Sequence, residues 1–294
     1  MNKRPAALAA TALALALALA ACSEGGGSGG SENSADSTTG SSAAGTTVSH
    51  IHGLGLAPAD QRLYVATHEG VHTPDADGKP ELVGDSKDDF MGFTLADDKT
   101  FYASGHPTSG GNKGLIRSTD AGRTWKSLSL SGEADFHALD FAHGTVYGYD
   151  STNGLVRTTK DGVSWKDGAR LEALDIAVSP TDPGVILATT AEGVARSGDG
   201  GKTFAPGQKP AMTFLSWSTK DALYGIDPSG GLHRSTDGGT TWKKVSAVPG
   251  GRPQALTAVA AEHVLAATRT GVFESKDGGR TFEKRMAVTS SGGH

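Results

Sequence analysis

Five of the ten histidines in this chain occupy related positions in a repeated pattern, and they are His50, His52, His68, His106 and His137. Neutral imidazole nitrogens bind zinc and copper, and carboxylate oxygens complete many such sites. Residues two apart in a strand point to one face, so His50 and His52 should project together. Histidines gathered in this way form a candidate transition-metal site.

Acidic residues and one methionine are predicted beside these histidines, and they are Asp88, Asp89, Asp135, Glu69 and Met91. The preferred ligands are His52, His68, His106 and His137, with His50 and Met91 next. Met91 favours copper slightly over zinc, because a thioether prefers the cuprous ion. Asp89 and Asp135 would orient histidines or complete the ligand shell. A second interpretation stays equally open, in which these groups hydrogen-bond to one another around a water-filled channel mouth.

A hydrolytic interpretation uses the carboxylates instead. Glycoside hydrolysis needs two carboxyl groups roughly 5–9.5 Å apart. The catalytic candidates are Asp89, Asp135 and Glu69, with Asp175 as a further carboxylate near the same mouth. In a third interpretation the rim holds a protein or a glycan. Convergent polar groups in a concave site favour ligand binding without selecting among these interpretations.

An internal repeat defines the elements that position these residues. The glycines that open each copy are 38 to 44 residues apart, and they are Gly70, Gly114, Gly154, Gly193, Gly231 and Gly271. Each is followed by a phrase whose fullest form is Ser235-Thr236-Asp237-Gly238-Gly239-Thr240-Thr241-Trp242, with copies at 118–125, 197–204 and 275–282. Two worn copies occupy residues 158–165 and 74–81, and the first carries Lys160 in place of Asp, with Asp161 one residue later. Self-similarity at this period marks a propeller or stacked-repeat fold.

The chemistry of the phrase predicts a hairpin turn. Its Asp can accept hydrogen bonds from nearby backbone N–H groups, its glycines allow positive φ, and its terminal aromatic residue can pack over the turn. The phrase resembles the Asp-box, or bacterial neuraminidase repeat. That resemblance implies a β-propeller and structural roles for Asp120, Asp161, Asp199, Asp237 and Asp277. It implies no single function, because Asp-boxes occur in sialidases, other glycosidases, assembly factors and non-catalytic binding proteins.

Each period holds four short β-like runs, so six periods predict an all-β, six-bladed β-propeller over residues 48–290. In a propeller, the start of the innermost strand and the loop after the second strand lie on the same face. The alignment of the repeats therefore places the five histidines at one mouth of the central channel, with the Asp-box turns on the opposite face. Residues 45–49 are a candidate for a strand that closes the ring.

The amino terminus predicts a lipoprotein. Lys3 and Arg4 precede an Ala/Leu run that is short for a membrane span and typical of a signal peptide. The run ends in Leu19-Ala20-Ala21-Cys22, which resembles the bacterial lipobox, and Cys22 is the only cysteine. We therefore predict a signal peptide over 1–21 and a lipidated Cys22 on a flexible Ser/Gly-rich tether over 22–47. Residues 291–294 form a tail.

These features predict a location outside the cytoplasm, with the bacterial cell membrane as a partner through the lipid anchor. The further partner would be an unknown small ligand, a glycan or a protein. The formal net charge is −5 and no basic cluster is present, which excludes nucleic acid as an expected partner.

Two short segments add a second resemblance. His50-Ile51-His52-Gly53-Leu54 and Ser104-Gly105-His106-Pro107 are similar to segments of bacterial repeat lipoproteins labelled glycosylhydrolase-like. The resemblance covers most of residues 48–290 and implies that label rather than a reaction. Sialidase activity itself is not favoured, because the Arg-Ile-Pro segment of sialidases is absent and the available arginines are scattered, namely Arg62, Arg170, Arg252 and Arg269.

Overall fold

The computed structural model describes residues 48–288, and every regular element in that range is a β-strand. No helix among these residues has the length and hydropathy needed to cross a membrane. The predicted signal peptide, Cys22, the whole tether and the tail lie outside the described residues. The six-bladed propeller expected from the repeats is confirmed.

Six antiparallel sheets, or blades, are each built from strands that are consecutive in the chain. Blade 1 contains β1 (Ile51–Leu56), β2 (Leu63–Thr67), β3 (Gly70–Pro74) and β4 (Pro80–Leu82); blade 2 contains β5 (Asp89–Leu95), β6 (Phe101–His106), β7 (Leu115–Ser118) and β8 (Lys126–Ser129); blade 3 contains β9 (Phe136–Ala142), β10 (Thr145–Asp150), β11 (Leu155–Thr159) and β12 (Lys166–Arg170). Blade 4 contains β13 (Ile176–Val178), β14 (Ile186–Thr189) and β15 (Val194–Ser197); blade 5 contains β16 (Phe214–Trp217), β17 (Leu223–Ile226), β18 (Gly231–Ser235) and β19 (Lys243–Ala247); blade 6 contains β20 (Pro253–Ala260), β21 (His263–Thr268), β22 (Gly271–Ser275) and β23 (Glu283–Ala287).

The core lies between neighbouring blades, where the apolar faces of the twisted sheets meet. Between blades 1 and 2, the ring of Tyr64 stacks edge-on against Phe101 with centroids 4.8 Å apart. Phe93 packs on the same ring of Phe101, and all three side chains are buried. Burying a side chain of this size contributes about 2–3 kcal/mol. The interfaces between blades therefore fix the inner strands that carry the candidate site.

The repeated phrase forms the turn between the third and fourth strands of a blade. In blade 5, Ser235 Oγ donates to Asp237 Oδ1 at 2.8 Å, and the N–H of Thr241 donates to the same oxygen at 2.9 Å. The indole N–H of Trp242 donates to the carbonyl of Gly239 at 3.1 Å. Hydrogen bonds to the carboxylate lower the pKa of Asp237 to about 2, with the hydroxyl of Thr241 as the main cause. The phrase thus supplies its own hydrogen-bond partners and closes the hairpin locally.

Blade 4 departs from the four-strand expectation, and blade 3 keeps its four strands but has a worn turn. Blade 4 has three strands, and only an isolated bridge between Val194 and Gln208 stands where the fourth strand was expected. Pro206 and Pro210 flank that bridge and cannot donate to a ladder, which accounts for the loss. In blade 3, Asp161 serves the worn turn by accepting the N–H of Ser164 at 2.7 Å.

Within residues 48–288, the ring closes without a strand exchanged between its ends. Val48 and Ser49, the described part of the proposed closing strand, lie outside any strand. Blades 1 and 6 meet instead through a shared cluster that includes Val48, Ile51 and Met286. The hydroxyl of Thr257 donates to the carbonyl of Leu54 at 2.8 Å across this seam. Side-chain packing and single hydrogen bonds therefore replace a shared sheet at the closure.

The innermost strands of all six blades surround a central channel of about 620 Å³. Side chains on these strands also bond to the backbone of the next blade. Asp140 Oδ2 accepts the N–H of Val178 at 2.8 Å, and Asp175 Oδ2 accepts the N–H of Leu215 at 2.8 Å. Burial raises the pKa of Asp140 to about 6 and that of Asp175 to about 7. Asp140 and Asp175 in the channel wall thus link neighbouring blades, and their carboxyl groups are protonated at higher pH than ordinary aspartates.

Candidate functional site

The candidate site lies at one mouth of the channel, where the first strands of blades 1 to 3 begin and their second strands end. The register pairs Ile51 with Thr67 in blade 1 and Asp89 with His106 in blade 2. In blade 3, the last paired residue of β10, Asp150, lies opposite Phe136. These pairings place the five predicted histidines on one face, as the alignment of the repeats predicts.

β-Bulges direct side chains into this mouth. The pairing of β1 with β2 skips His52, and the pairing of β9 with β10 skips His137. β5 has an irregularity at the same level, between Phe90 and Phe93. A bulge bends its strand and re-aims the extra residue, and bulges are frequent next to functional sites. Two of the preferred ligand residues therefore owe their direction to a local break in the ladder.

A glycine makes the position of His106 possible. Gly105 precedes it on β6 with φ of +145°, and a Cβ there would lie 1.9 Å from the carbonyl oxygen of Asp89. Only glycine tolerates both the backbone conformation and the close approach. His106 Nδ1 lies 3.0 Å from the carbonyl oxygen of Gly111. Because a carbonyl can only accept, Nδ1 carries the proton, and Nε2 of a neutral His106 presents its lone pair.

Three imidazoles form a stack at the blade 1 side of the mouth. The ring centroids of His50 and His52 are 4.6 Å apart, and those of His52 and His68 are also 4.6 Å apart. The planes are inclined by 18° and 5° respectively. Rings this close cannot all carry a positive charge at small cost. Simultaneous protonation of the three rings is therefore disfavoured, and burial lowers the pKa of His50 and of His52.

Asp89 faces this stack and completes a group of donors. One ligand atom each from His52, His68 and Asp89 lies within 4.8 Å of the other two. His52 Nε2 and Asp89 Oδ1 are 3.7 Å apart, which is too long for a hydrogen bond. Both atoms are buried and have no hydrogen-bond partner among the described residues. A zinc ion about 2.0–2.2 Å from each donor would fill the gap between them.

The electrostatics of the two groups follow from the same burial. Desolvation, with the neighbouring His50 and His68, lowers the pKa of His52 to about 3. Desolvation also raises the pKa of Asp89, while the nearby histidines His68 and His106 oppose the rise. Because no hydrogen bond joins His52 to Asp89, neither group stabilises the charged form of the other strongly. His52 is therefore neutral at physiological pH and ready to act as a ligand.

A second group at the same mouth is joined by hydrogen bonds. His137 Nε2 donates to Asp135 Oδ2 at 2.7 Å, and Ser151 Oγ donates to the same oxygen at 3.2 Å. His106 Nε2 lies 3.5 Å from that oxygen. The bond to Asp135 raises the pKa of His137, while the partners of Asp135 lower the pKa of its carboxyl against the effect of its burial. This group is arranged to hold a proton, whereas the stack is arranged to offer lone pairs.

The remaining predicted site residues have separate roles. Glu69 accepts the N–H of Ser49 at 3.1 Å and also bonds its hydroxyl. Asp88 pairs with Lys113 at 2.6 Å. Met91 is partly buried on β5, two residues after Asp89. Asp175 does not offer a free carboxylate, because backbone N–H groups bond to both of its oxygens.

The four histidines expected elsewhere are on strands or turns away from the mouth, namely His72, His143, His233 and His263. His72 is fully buried on β3, and His233 and His263 pair with Asp227 and Glu274 at 2.9 and 2.7 Å. His143 Nε2 bonds the carbonyl of Ser179 at 2.8 Å. Each has a local hydrogen-bond partner, although Nε2 of His72 is buried without one among the described residues, as Nε2 of His52 is.

Sequence reasoning missed two participants. Gln254 occupies the bulged position of β20 that corresponds to His52 and His137. Its side-chain oxygen lies 3.4 Å from the N–H of Ile51 and links blade 6 to the start of β1. Ser151 follows β10 where His68 follows β2, and it bonds Asp135. Extending the same alignment to blade 6, and asking for hydroxyl as well as imidazole groups, would have found both.

No protein-family model and no curated protein matches this chain. Solved structures with the same fold include the GH74 enzyme of Niastella koreensis, with a TM-score of 0.61 and 15% identity over 83% of this chain and 46% of that one. Virginiamycin B lyase from Staphylococcus aureus aligns with a TM-score of 0.58 and 13% identity, over 83% of this chain and 86% of that one. A putative gluconolactonase aligns with a TM-score of 0.59 and 14% identity, over 84% and 92%.

These neighbours comprise glycoside hydrolases, lyases and lactonases. This chain spans less than half of the GH74 enzyme. At such low identity the likeness shows the propeller fold alone, since one fold carries many unrelated activities. The chemistry has to be argued from the mouth of the channel.

Proposed function

We propose that this protein is a lipid-anchored propeller of the Asp-box class, located outside the cytoplasm, that binds a transition metal at the mouth of its channel. The proposed ligands are His52, His68 and Asp89. One observation carries the proposal: two buried donor atoms face each other across 3.7 Å without hydrogen-bond partners. Buried polar atoms are normally satisfied, and a metal ion between these two atoms would satisfy both.

Zinc is the first candidate among the metals. Two imidazoles and a carboxylate are a common donor set for zinc with an open fourth position. Copper is the second candidate, because imidazole also suits copper and Met91 is close in the chain to Asp89. His50 is the third ring of the stack and can support either ion. His106 and His137 would then surround the open side of the metal rather than bind it, since Asp135 already engages His137.

The proposal is tested by calorimetric titration of the purified full chain with zinc and with copper. His52→Ala should weaken binding by about 100-fold or more, because loss of an outer-shell partner alone commonly costs 10–100-fold. His233→Ala is the matched control, since His233 pairs with Asp227 on blade 5. Equal affinities in the wild type and His52→Ala would rule the site out.

A further inference from the structure

Two arginines at the rim of blade 6 have no described partner. Arg252 immediately precedes β20 and Arg269 immediately follows β21. The register pairs Pro253 with Thr268, so the two arginines flank the same end of one hairpin. Both are exposed, and within residues 48–288 neither side chain forms a hydrogen bond or an ion pair.

Most other arginines of the described chain are engaged. Arg157 pairs with Asp150 and Asp167, Arg234 with Glu262, and Arg285 with Glu274. Arg196 donates to the carbonyl of Gly238 at 2.7 Å. By comparison, two arginines at the same end of one hairpin without an acidic partner among the described residues are unusual. A guanidinium presents a planar fork of donors that matches carboxylate and phosphate oxygens.

The turn that leads into β20 adds backbone donors to the same place. Gly250 and Gly251 have φ of +93° and +90°, and no hydrogen bond from their N–H groups or from that of Arg252 is seen within residues 48–288. The turn is held at the mouth because Thr268 Oγ1 donates to the carbonyl of Pro249 at 3.1 Å. Consecutive free N–H groups in such turns form concavities that bind anions.

This rim adjoins the histidine stack. Gln254, two residues after Arg252, contacts the N–H of Ile51 beside His50. The charges of Arg252 and Arg269 contribute to lowering the pKa of His50, after burial and His68. The acids that face this side are Glu69 and Asp89. Glu69 is occupied by Ser49, and Asp89 belongs to the proposed metal site. Within residues 48–288, neither acid forms an ion pair with Arg252 or Arg269.

We propose that Arg252, Arg269 and the Gly250–Gly251 turn form an oxyanion site that binds a carboxylate or phosphate group of a small ligand. The ligand's remaining atoms would lie over the channel mouth, beside the histidine stack. Binding at the arginines does not require the metal. Only the further step, in which the anion also reaches the open position of the metal, rests on the proposed function.

The test is calorimetric titration of the full chain with inorganic phosphate and, separately, with D-glucuronate, each after removal of metal with EDTA. Saturable binding of one or both probes is expected. A stronger response to phosphate assigns a phosphate ligand, and a stronger response to glucuronate assigns a carboxylate. The Arg252→Gln/Arg269→Gln double variant should bind at least about tenfold more weakly, which corresponds to ~1.4 kcal/mol.

Arg117→Gln is the matched control, because Arg117 also has no described partner but lies on β7 near the turn at the opposite face. It should leave anion binding unchanged. Absence of saturable binding, or equal affinity in the double variant and the wild type, would overturn the oxyanion site. Zinc titration of the double variant separates the two proposals. If the variant still binds zinc but no longer binds the anion, the arginines form the anion site and the metal site is independent of them. Lost zinc binding in His52→Ala bears on the metal site only.

Discussion

At the scale of single residues, the mouth separates two chemistries that the sequence places together. His50, His52 and His68 are stacked, and burial lowers the pKa of His50 and His52. His137 is hydrogen-bonded instead to a carboxylate that favours its protonated form. The first arrangement suits a metal ligand, and the second suits proton transfer to or from something bound beside it. A hydrolytic role for this protein would therefore use His137 and Asp135 before it used Asp89.

Removing the charge of Asp135 should change the titration of His137. The hydrogen bond and the charge of Asp135 raise the pKa of His137 above its ordinary value, so Asp135→Asn should lower it and His137 should lose its proton at lower pH than in the wild type. NMR titration of the histidine ring protons measures this directly. His233, which pairs with Asp227 on blade 5, is the internal reference. An unchanged His137 titration would show that the two groups do not interact in solution.

The convergence of the histidines was predictable because the repeat supplies a register, and residues that break the repeat stand out against it. The division into two groups was not predictable. It depends on a difference of only about 1 Å in the distance between the side chains: Asp135 lies 2.7 Å from His137, while Asp89 lies 3.7 Å from His52. No pattern of residue types encodes that difference, since each pair is a histidine and an aspartate near the start of an innermost strand.

At the scale of strands, β-bulges are the elements that build the site. The extra residues of β1, β9 and β20 are His52, His137 and Gln254. In a regular strand, successive side chains point to opposite faces of the sheet, and this alternation alone would set the direction of each of these residues. Period-two alternation explains why His50 and His52 were expected on one face, but it contains no signal for the bulge. Strand periodicity therefore cannot predict the directions of the side chains at the bulges of this site.

The acids of the channel wall should make stability depend on pH. The pKa of Asp175 is raised from 3.8 to about 7 by burial, with a contribution from Asp140. The folded state therefore keeps a proton that the unfolded chain releases above about pH 4, so this contribution to stability is present at low pH and is lost as pH rises through about 7. Asp175→Asn should remove the loss.

Urea unfolding at pH 5 and pH 8 measures the effect. Between pH 5 and pH 8, we expect the free energy of unfolding of the wild type to fall by about 1–2 kcal/mol more than that of Asp175→Asn. This figure is smaller than the full linkage energy because the site is partly open to water. Asp85→Asn is the control, since Asp85 is exposed in the turn before β5. The same pH dependence in all three proteins would contradict the assignment.

The strands themselves were largely predictable, because short β-like runs recur between turn signals. The exception is the outer strand of blade 4. The phrase at residues 197–204 was present, and so an ordinary fourth strand was expected. Pro206 and Pro210 lie in the segment that follows, and a residue without an N–H group weakens a ladder. Only the bridge at Gln208 remains.

At the scale of the whole molecule, the ring brings distant parts of the chain to one mouth. His50 and Arg269 are far apart in sequence, yet blade 1 packs directly against blade 6 through Ile51, Leu265 and Met286. Closure by packing, without an exchanged strand, leaves the start of β1 free to hold the stack. The number of repeats predicted six blades, but the mode of closure depends on contacts that have no local sequence signal.

The proposed anchor concerns the segment before the ring. We expect the full chain to fractionate with bacterial membranes through lipid on Cys22, and Cys22→Ala to move it to the soluble fraction. The reason is that the acyl chains supply the apolar surface for membrane binding, while no helix among residues 48–288 is long and apolar enough to span a membrane. Metal binding should not change in this variant. A membrane-bound Cys22→Ala protein would contradict lipidation at this residue.

The central claim is that a metal ion lies between His52, His68 and Asp89. The most direct measurement is anomalous diffraction at the zinc edge from crystals of the protein grown with zinc. The account predicts one strong peak about 2.0–2.2 Å from His52, His68 and Asp89, and no such peak in crystals of His52→Ala. Absence of a peak at the mouth, or a peak on His106 and His137 with His52 left unbound, would contradict it.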